Sequence, residues 1–257
     1  MVEGLDKFTE YFKEYSNNYV LIGGTACDQL ISNAGLSFRA TRDLDIILII
    51  EALSIEFVQQ FWRFINEGGY IQRERSSGKK IYYRFQNPAA RGFPALIELF
   101  SRNPEINISE DSHLTPIPVD EDVSSLSAIL LDNDYYNFTI QNSRIINGIH
   151  IADTTALICL KAKAYLDYKE RRANSQKADS SDMKKHRLDI IRLAVILSNE
   201  DILNLPEGIR KDLEAVIDEI KINPPDGKVI AKNLQINTSL NIHSVIEQIE
   251  KTFHLFS

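Results

Sequence analysis

The strongest constraint on the fold is an apolar run that begins with two carboxylates, Asp-Leu-Asp-Ile-Ile-Leu-Ile-Ile over residues 43–50. Its apolar residues are continuous rather than alternating, which is typical of a strand that is buried on both faces. Residues 19–22 and 95–100 form two similar runs and predict two more buried strands. The first half of the chain is therefore predicted to be mixed α and β, built around buried strands.

Several further elements are predicted from turn and capping residues. Ser54 can cap a helix that runs to about residue 66, and residues 70–75 and 79–86 are typical of a β-hairpin. Residues 102–125, rich in Pro, Asn, Ser and acidic side chains, predict a long surface excursion. Short strands are predicted at the end of this half, over residues 129–131, 135–141 and 144–151.

From Asp153 onward the apolar residues recur at helical spacing, and a last amphipathic helix is predicted over residues 242–253. This change of period divides the chain near residue 150. We predict an α+β protein with two lobes, a mixed β-sheet lobe with flanking helices over residues 1–150 and a helical lobe over residues 151–257.

Three carboxylates stand in or beside the predicted buried strands. Asp43 and Asp45 are two residues apart on a strand and so share a face. Like charges held this close need a cation between them or a raised pKa, and Mg²⁺ prefers such oxygen ligands. Glu98 is a lone charge in the third buried strand, so we expect it to join the cation site or to form an ion pair with Arg39 or Arg42.

A Gly23-Gly24-Thr25 turn separates the first buried strand from a predicted helix. Glycine lets backbone N–H groups approach a ligand, and the start of a helix favours an anion. The turn lacks the lysine of a Walker A loop, and the chain contains no G-x-G-x-x-G. P-loop ATPases and dinucleotide-binding folds are therefore disfavoured.

Together these features resemble the nucleotidyltransferase superfamily with the DNA polymerase β-like fold. The motif is Ile22-Gly23-Gly24-Thr25 followed by Asp43-Leu44-Asp45-Ile46, and Arg39-x-Thr41-x-Asp43 resembles its fuller form. Eighteen residues separate Gly24 from Asp43, a longer spacer than is usual in the superfamily.

The helical half resembles one branch of that superfamily, the AbiEii-type nucleotidyltransferases of abortive-infection and toxin–antitoxin operons. The similar segments are Leu160-Lys161-x-x-Ala164 and Lys185-x-x-x-Asp189-Ile190, although His186 stands where the branch usually has an acid. Without the resemblance, the position of Lys161 is also typical of a lysine whose aliphatic stem packs in an apolar stripe. The spacing of Lys185 and Asp189 is also typical of a surface ion pair.

The resemblance implies a Mg²⁺-dependent transfer of a nucleoside monophosphate from an NTP to an acceptor hydroxyl, with release of pyrophosphate. It implies that residues 1–150 are the catalytic lobe and that residues 151–257 complete the nucleotide and acceptor cleft. The catalytic and metal-binding residues would be Asp43, Asp45 and Glu98. The nucleotide-binding residues would be Gly23, Gly24, Thr25, Lys161, Lys185 and Asp189.

The distribution of charge bears on the acceptor. The chain has a net charge of −7, from 29 basic and 36 acidic residues, which would disfavour a nucleic-acid partner if it were spread evenly. However, residues 161–192 contain ten basic and five acidic residues, and residues 73–91 contain six basic residues and one acidic residue. These segments favour an RNA or tRNA acceptor. A protein acceptor and a cognate antitoxin partner are consistent with the resemblance.

Two other functions remain open from the sequence. Antibiotic-modifying nucleotidyltransferases also carry Gly-Gly-x-Ala, which Gly23-Gly24-Thr25-Ala26 fits, and the acidic excursion would suit a cationic drug. A non-catalytic nucleotide-binding or antitoxin-like protein could keep the same fold. Zinc and serine hydrolases are disfavoured, because the five histidines show no ligand spacing and no G-x-S-x-G occurs.

The composition and the first residues of the chain bear on where in the cell the protein is expected. With 44% hydrophobic and 25% charged residues, the chain is typical of a globular protein and not of disorder, collagen or a coiled coil. No apolar run reaches the roughly 20 residues that span a bilayer, and the first residues do not resemble a signal peptide. We therefore expect a cytoplasmic protein without a membrane partner.

Overall fold

A computed structural model describes residues 2–74, 80–100, 132–174, 180–200 and 202–256. Within these residues the protein is a mixed α+β structure, with helices packed around one β-sheet. The predicted strand over residues 129–131, the excursion over 102–125 and the hairpin turn over 75–79 lie outside the described residues.

The described residues form one sheet of seven strands in the order β3-β4-β5-β2-β1-β7-β6. The bounds are β1 Tyr19–Ile22, β2 Asp43–Leu48, β3 Ile71–Glu74, β4 Lys80–Gln86, β5 Leu96–Phe100, β6 Ser143–Ile146 and β7 Ile149–Ala152. Strand β2 is antiparallel to β1 and parallel to β5, so the three strands predicted as buried lie side by side in the middle of the sheet. This arrangement brings the predicted carboxylates onto adjacent strands.

The described helices flank this sheet and make up most of the second half. They are α1 Leu5–Phe12, α2 Gly23–Asn33, α3 Ile55–Gly68, α4 Asn133–Gln141, α5 Thr154–Ala173, α6 Ser180–Ala194, α7 Glu207–Ile222, α8 Gly227–Asn233 and α9 Ile242–Phe253. As predicted, Ser54 caps α3, since its Oγ accepts a hydrogen bond from the Phe57 N–H at 3.1 Å. None of the described helices combines the length and apolarity that a membrane crossing requires.

A continuous apolar core joins the two halves of the chain. Helices α1 and α3 pack their aromatic side chains against the sheet, with Phe8, Phe12 and Phe64 in mutual ring contact. Helix α5 is buried along most of its length and contacts α6 and α7 on the helical side and α2 on the sheet side. The start of α2 therefore lies where the sheet and the helical half meet. The lobe boundary near residue 150 stays a prediction.

Two predictions for the end of the first half were wrong. Residues 135–141 form helix α4 rather than a strand, because the Asp132 carboxylate caps the segment by accepting hydrogen bonds from the N–H groups of Asp134 at 2.8 Å and Tyr135 at 3.4 Å. Residues 144–151 form the β6–β7 hairpin rather than one strand. The chain reverses at Asn147 and Gly148, which both have positive φ angles, as a tight hairpin turn requires.

Candidate functional site

The Gly-Gly turn is shaped around one carboxylate. Strand β1 ends at Ile22, which lies opposite Asp45 in the β1–β2 pair, and α2 begins at Gly23. Gly23 has a φ of +71°, and a Cβ atom at this position would lie 1.8 Å from Oδ2 of Asp45. Glycine is therefore required here for both its backbone angle and its lack of a side chain. The Asp45 carboxylate lies directly against the start of α2.

The next residues of the turn hold the neighbouring loop. The Thr25 hydroxyl donates a hydrogen bond to the Asp43 carbonyl oxygen at 2.6 Å, which ties α2 to β2. A Cβ at Gly24 would lie 2.7 Å from Oγ1 of Thr41 and 3.5 Å from Nη2 of Arg39. The loop before β2 thus packs over Gly24. The Thr25 hydroxyl already has an acceptor here, and a contact with triphosphate stays a prediction.

The three predicted carboxylates come together on one part of the sheet. Asp45 is paired in register with Glu98 across β2 and β5, and Asp43 lies two residues before Asp45 on the same face. Burial, reinforced by the Glu98 and Asp43 carboxylates, raises the pKa of Asp45 to about 7, although Lys161 and Arg39 oppose this. The repulsion predicted from the sequence is therefore present.

Glu98 forms an ion pair with an arginine on the adjacent strand β4. Arg84 lies opposite Glu98 in the β4–β5 pair, with its Nε 3.5 Å from Oε1 of Glu98. The sequence-based candidates for this ion pair, Arg39 and Arg42, were wrong, because cross-strand register decides the partner. Burial raises the pKa of Glu98 and Arg84 opposes that shift.

The donor chemistry at this site suits Mg²⁺. Carboxylate oxygens are hard ligands, and a cation beside Asp43 and Asp45 would relieve the repulsion that raises the pKa of Asp45. The described residues contain no group of three or more His, Cys, Asp or Glu side chains arranged to hold a metal. A magnesium ion would therefore be held by one or two carboxylates together with substrate oxygens, and Glu98 as a third ligand stays a prediction.

A second cluster, the cation cluster, surrounds Asp189, which is completely buried. Arg39 donates hydrogen bonds to this carboxylate from Nε at 3.3 Å to each oxygen and from Nη2 at 2.9 Å. Arg192 donates from Nη1 at 2.8 Å, and Nζ of Lys161 lies 3.8 Å away. Burial alone would raise the pKa of Asp189, but Lys161 and Arg39 outweigh it and hold that pKa below its ordinary value.

Lys161 links the two clusters. Its side chain is buried, and its charge lowers the pKa of Asp45 on the sheet as well as that of Asp189. The structure thus brings together the Gly-Gly turn, Asp45, Lys161 and Asp189, from both halves of the chain. Asp189 contacts cations and has no exposed surface, so its effect on a nucleotide would pass through Lys161 and Arg39.

Lys185 is not part of this assembly. Its side chain is 51% exposed and its Nζ pairs with Asp182 at 2.7 Å. The surface pair of Lys185 with Asp189 that spacing alone suggested is not formed, because Lys185 lies at the surface and Asp189 is buried. The His186 ring makes a tilted contact with Tyr168, with ring centroids 5.5 Å apart, and its buried Nδ1 has no hydrogen-bond partner among the described residues. Burial, followed by the charge of Lys161, lowers the pKa of His186 to about 3.

Sequence reasoning missed Arg39 and Arg192 as members of the site. Arg39 was visible in the Arg39-x-Thr41-x-Asp43 motif, and Arg192 follows Asp189 at the helical spacing that favours an ion pair. Neither signal indicates that Arg39 crosses to a residue 150 positions later in the chain.

The basic segment over residues 161–192 is largely neutralised in the fold. Lys163 pairs with Asp212 at 2.8 Å and Lys169 with Glu219 at 2.5 Å, so α7 supplies acids that the local charge count omitted. Arg171 pairs with Asp167 at 2.8 Å. Six of the segment's described cations thus have acidic partners, and the segment offers a weaker case for RNA binding than its composition suggested.

No protein-family model matches this sequence, and no curated protein sequence matches it. Among solved structures, one similar chain is an antigenic nucleotidyltransferase-like protein from Paracoccidioides brasiliensis. The two chains are 14% identical, the match covers 92% of this chain and 96% of the other, and the TM-score is 0.47. A likeness at this level says nothing about what this chain binds or catalyses.

Proposed function

We propose that this protein is a Mg²⁺-dependent nucleotidyltransferase that transfers a nucleoside monophosphate from an NTP to an acceptor hydroxyl and releases pyrophosphate. The observation that carries this proposal is the position of Asp45. Its carboxylate packs against Gly23 at the start of α2, beside the carboxylates of Glu98 and Asp43. The positive charges of Lys161 and Arg39 lower its pKa.

The two clusters have opposite and unbalanced charges. On the sheet, the three carboxylates have one guanidinium partner among the described residues, that of Arg84. In the cation cluster, three cations surround the single carboxylate of Asp189. A magnesium–triphosphate complex offers a divalent cation to the first cluster and phosphate oxygens to the second. This complementarity supports a nucleoside triphosphate as the substrate.

Each part of the site has a distinct task in this proposal. Asp43 and Asp45 would hold Mg²⁺, which when bound neutralises charge on the reacting phosphoryl oxygens. The backbone N–H groups at Gly23 and Gly24 and the positive end of the α2 dipole favour the polyphosphate, as does the ammonium of Lys161. Glu98, whose pKa is raised by burial, is placed to accept the proton of the attacking hydroxyl.

For the acceptor, we propose RNA or tRNA, with a protein hydroxyl as the alternative acceptor, as in AbiEii-type toxins of toxin–antitoxin systems. The support is the pairing of Lys161 with Asp189, the two residues that carry the resemblance in the helical half and that the structure places 3.8 Å apart. A toxin of this kind would have a cognate antitoxin as its partner.

A non-catalytic nucleotide-binding protein is the second candidate. It is favoured by the Glu98–Arg84 ion pair, in which Arg84 already neutralises the carboxylate predicted as the third metal ligand. It is also favoured by the lack of a three-ligand metal group within the described residues. Such a protein would bind a magnesium nucleotide without transferring any part of it.

The test is a transfer assay with Mg²⁺ and each α-labelled NTP, using total tRNA, a protein mixture or an aminoglycoside panel as acceptor. We expect labelled RNA, and we expect Asp43→Ala and Asp45→Ala to abolish labelling while Glu56→Gln, at an exposed carboxylate on α3, does not. Labelled drug would identify the antibiotic-modifying alternative. Nucleotide binding without any label would support the non-catalytic protein, and activity in folded Asp45→Ala would refute the metal assignment.

A further inference from the structure

A cavity of about 530 Å³, the α8 pocket, opens between helix α8 and the segment that follows it. Cations and neutral hydrogen-bonding groups line it: Lys228, Lys232, Gln235, Asn237, Thr238 and Ser239. No carboxylate is among the described residues of its lining. We infer that the α8 pocket binds the phosphodiester backbone of a nucleic-acid acceptor, an inference that rests on the proposed function for its choice of ligand.

The two lysines of the pocket carry uncompensated charge. Lys228 and Lys232 are four residues apart on α8, both are exposed, and neither forms an ion pair within the described part of the chain. Like charges at this spacing repel and weaken a helix. The nearest carboxylate in sequence, Asp226, accepts a hydrogen bond from the Lys228 backbone N–H at 2.8 Å and serves as the helix cap. A phosphate between the lysines would relieve their repulsion.

The wall of the pocket is fixed at both ends. At one end, the Leu234 carbonyl oxygen accepts a hydrogen bond from the Ser37 N–H at 3.2 Å. At the other end, the Leu240 carbonyl oxygen lies so close to Gly227 that a Cβ there would be 2.2 Å from it. Between them, Gln235 has a φ of +58°, which turns the chain out of α8. The backbone that carries the hydroxyl and amide groups of the wall is therefore anchored at both ends.

The pocket adjoins the candidate nucleotide site through a short segment. Ser37, which binds the wall, lies two residues before Arg39, so their Cα atoms are at most about 7 Å apart. Arg39 in turn bonds Asp189 in the cation cluster. We expect an acceptor strand whose reacting hydroxyl is at Asp45 to extend along this segment toward α8. In contrast, most described cations of residues 161–192 already have acidic partners.

The test compares two double variants of the full chain that remove the same charge. Lys228→Gln/Lys232→Gln alters the pocket, while Lys13→Gln/Lys251→Gln removes two exposed lysines elsewhere. Binding of a labelled single-stranded RNA is measured by fluorescence anisotropy over a range of salt concentrations. We expect the pocket variant to bind about tenfold more weakly and to lower the slope of log K against log salt by about 1.4, the value for two lost phosphate contacts. The control should change by less than about twofold.

Four results would overturn the inference: no RNA binding by the wild type, equal effects of both double variants, an unchanged salt slope in the pocket variant, or displacement of the RNA by inorganic phosphate. Inorganic phosphate is the second probe. If phosphate alone displaces the RNA at equal phosphate concentration, the pocket is a site for free anions and the inference is wrong. Transfer is assayed separately on the wild type. RNA binding that depends on the lysine pair, without transfer, supports the pocket and contradicts the proposed function.

Discussion

The sheet carboxylates and the cation cluster are two charge clusters of opposite sign, and they differ in burial, since Asp189 is completely buried whereas Asp43 is exposed. Within the described parts of the chain, Asp43, Asp45 and Glu98 form one ion pair, that of Glu98 with Arg84, whereas Asp189 alone faces three cations. A structural ion-pair network would be expected to balance its own charges, because buried unpaired charge is costly. The imbalance of both clusters, with Lys161 acting on each, is the basis of our proposal that they bind a ligand that carries both signs of charge.

The two clusters are also built differently. The carboxylates lie on adjacent strands in a fixed register, so the backbone of the sheet holds them in place. The cation cluster joins a loop residue, Arg39, to helices α5 and α6, and its geometry depends on how the two halves of the chain pack. We therefore expect changes in the cation cluster to affect stability more, and changes at the carboxylates to affect chemistry more.

The largest effect on stability is expected for Asp189→Ala. The change leaves Arg39, Lys161 and Arg192 without their buried counter-ion, and breaking a buried ion pair in this way costs about 3–5 kcal/mol. The measurement is the free energy of unfolding from denaturant titration. Asp182→Ala, which removes a partly exposed partner of Lys185, is the control and should cost less than about 1 kcal/mol. Equal losses in both variants would show that the cation cluster does not hold the two halves together.

A smaller effect is expected for Gly23→Ala, which tests the contact between the turn and the carboxylates. The matched control is Gly35→Ala, because Gly35 has a similar φ of +76° but no atom within 4 Å of its added Cβ. Both variants bear the cost of an alanine with positive φ, about 1–2 kcal/mol in the free energy of unfolding. Only Gly23→Ala also displaces the Asp45 carboxylate, so it should lose further stability and the transfer activity. If the two variants behave alike, the close packing of Asp45 on Gly23 is wrong.

Lys161 and Lys185 are expected to differ in their effect on nucleotide affinity. Replacing Lys161 by Ala, or by Met to keep the packing of its stem, should raise the apparent KM for NTP about tenfold, the value of one charge-assisted contact. Lys185→Ala should leave KM within about twofold, since this ammonium is exposed and pairs with Asp182. The measurement is initial transfer rate against NTP concentration. An unchanged KM in both Lys161 variants would show that the role of this lysine is purely structural.

The smallest effect is expected on the pH dependence of stability, through His186, whose pKa is shifted by charges of the cation cluster. Burial and the charges of Lys161, Arg39 and Lys185 lower its pKa to about 3, although Asp189 opposes them. Below about pH 6.5 the unfolded chain binds a proton at this histidine that the folded chain does not, so stability falls as the pH drops toward 3. Between pH 7 and pH 5, His186→Gln should lose about 1 kcal/mol less unfolding free energy than the wild type. His243→Gln, at an exposed position, should follow the wild type, and an identical slope in all three proteins would contradict the low pKa.

The local parts of the structure could be predicted because the deciding residues are adjacent in sequence. The continuous apolar runs predicted β1, β2 and β5, and Ser54 predicted the start of α3. The tyrosines and phenylalanine of residues 135–141 favour a strand, yet the Asp132 cap and burial of one helical face favour helix α4. Here a capping signal in the sequence outweighed the residue propensities.

The site could be predicted only in part, for a different reason. The pairing of Asp43 with Asp45 follows from the two-residue period of a strand, but the partner of Glu98 depends on the register between β4 and β5. The contact between Arg39 and Asp189 depends on the packing of elements from both halves of the chain. Neither can be derived from spacing, and the neutralisation of residues 161–192 by α7 has the same origin.

The most direct test of the central claim, that the two clusters form one site for a magnesium nucleotide, is calorimetric binding of a non-hydrolysable NTP analogue with and without Mg²⁺. We predict binding that requires Mg²⁺, that weakens at least about 100-fold in Asp45→Asn, and that weakens about tenfold in Lys161→Met. Binding that is equally tight without Mg²⁺ and in both variants would contradict the account.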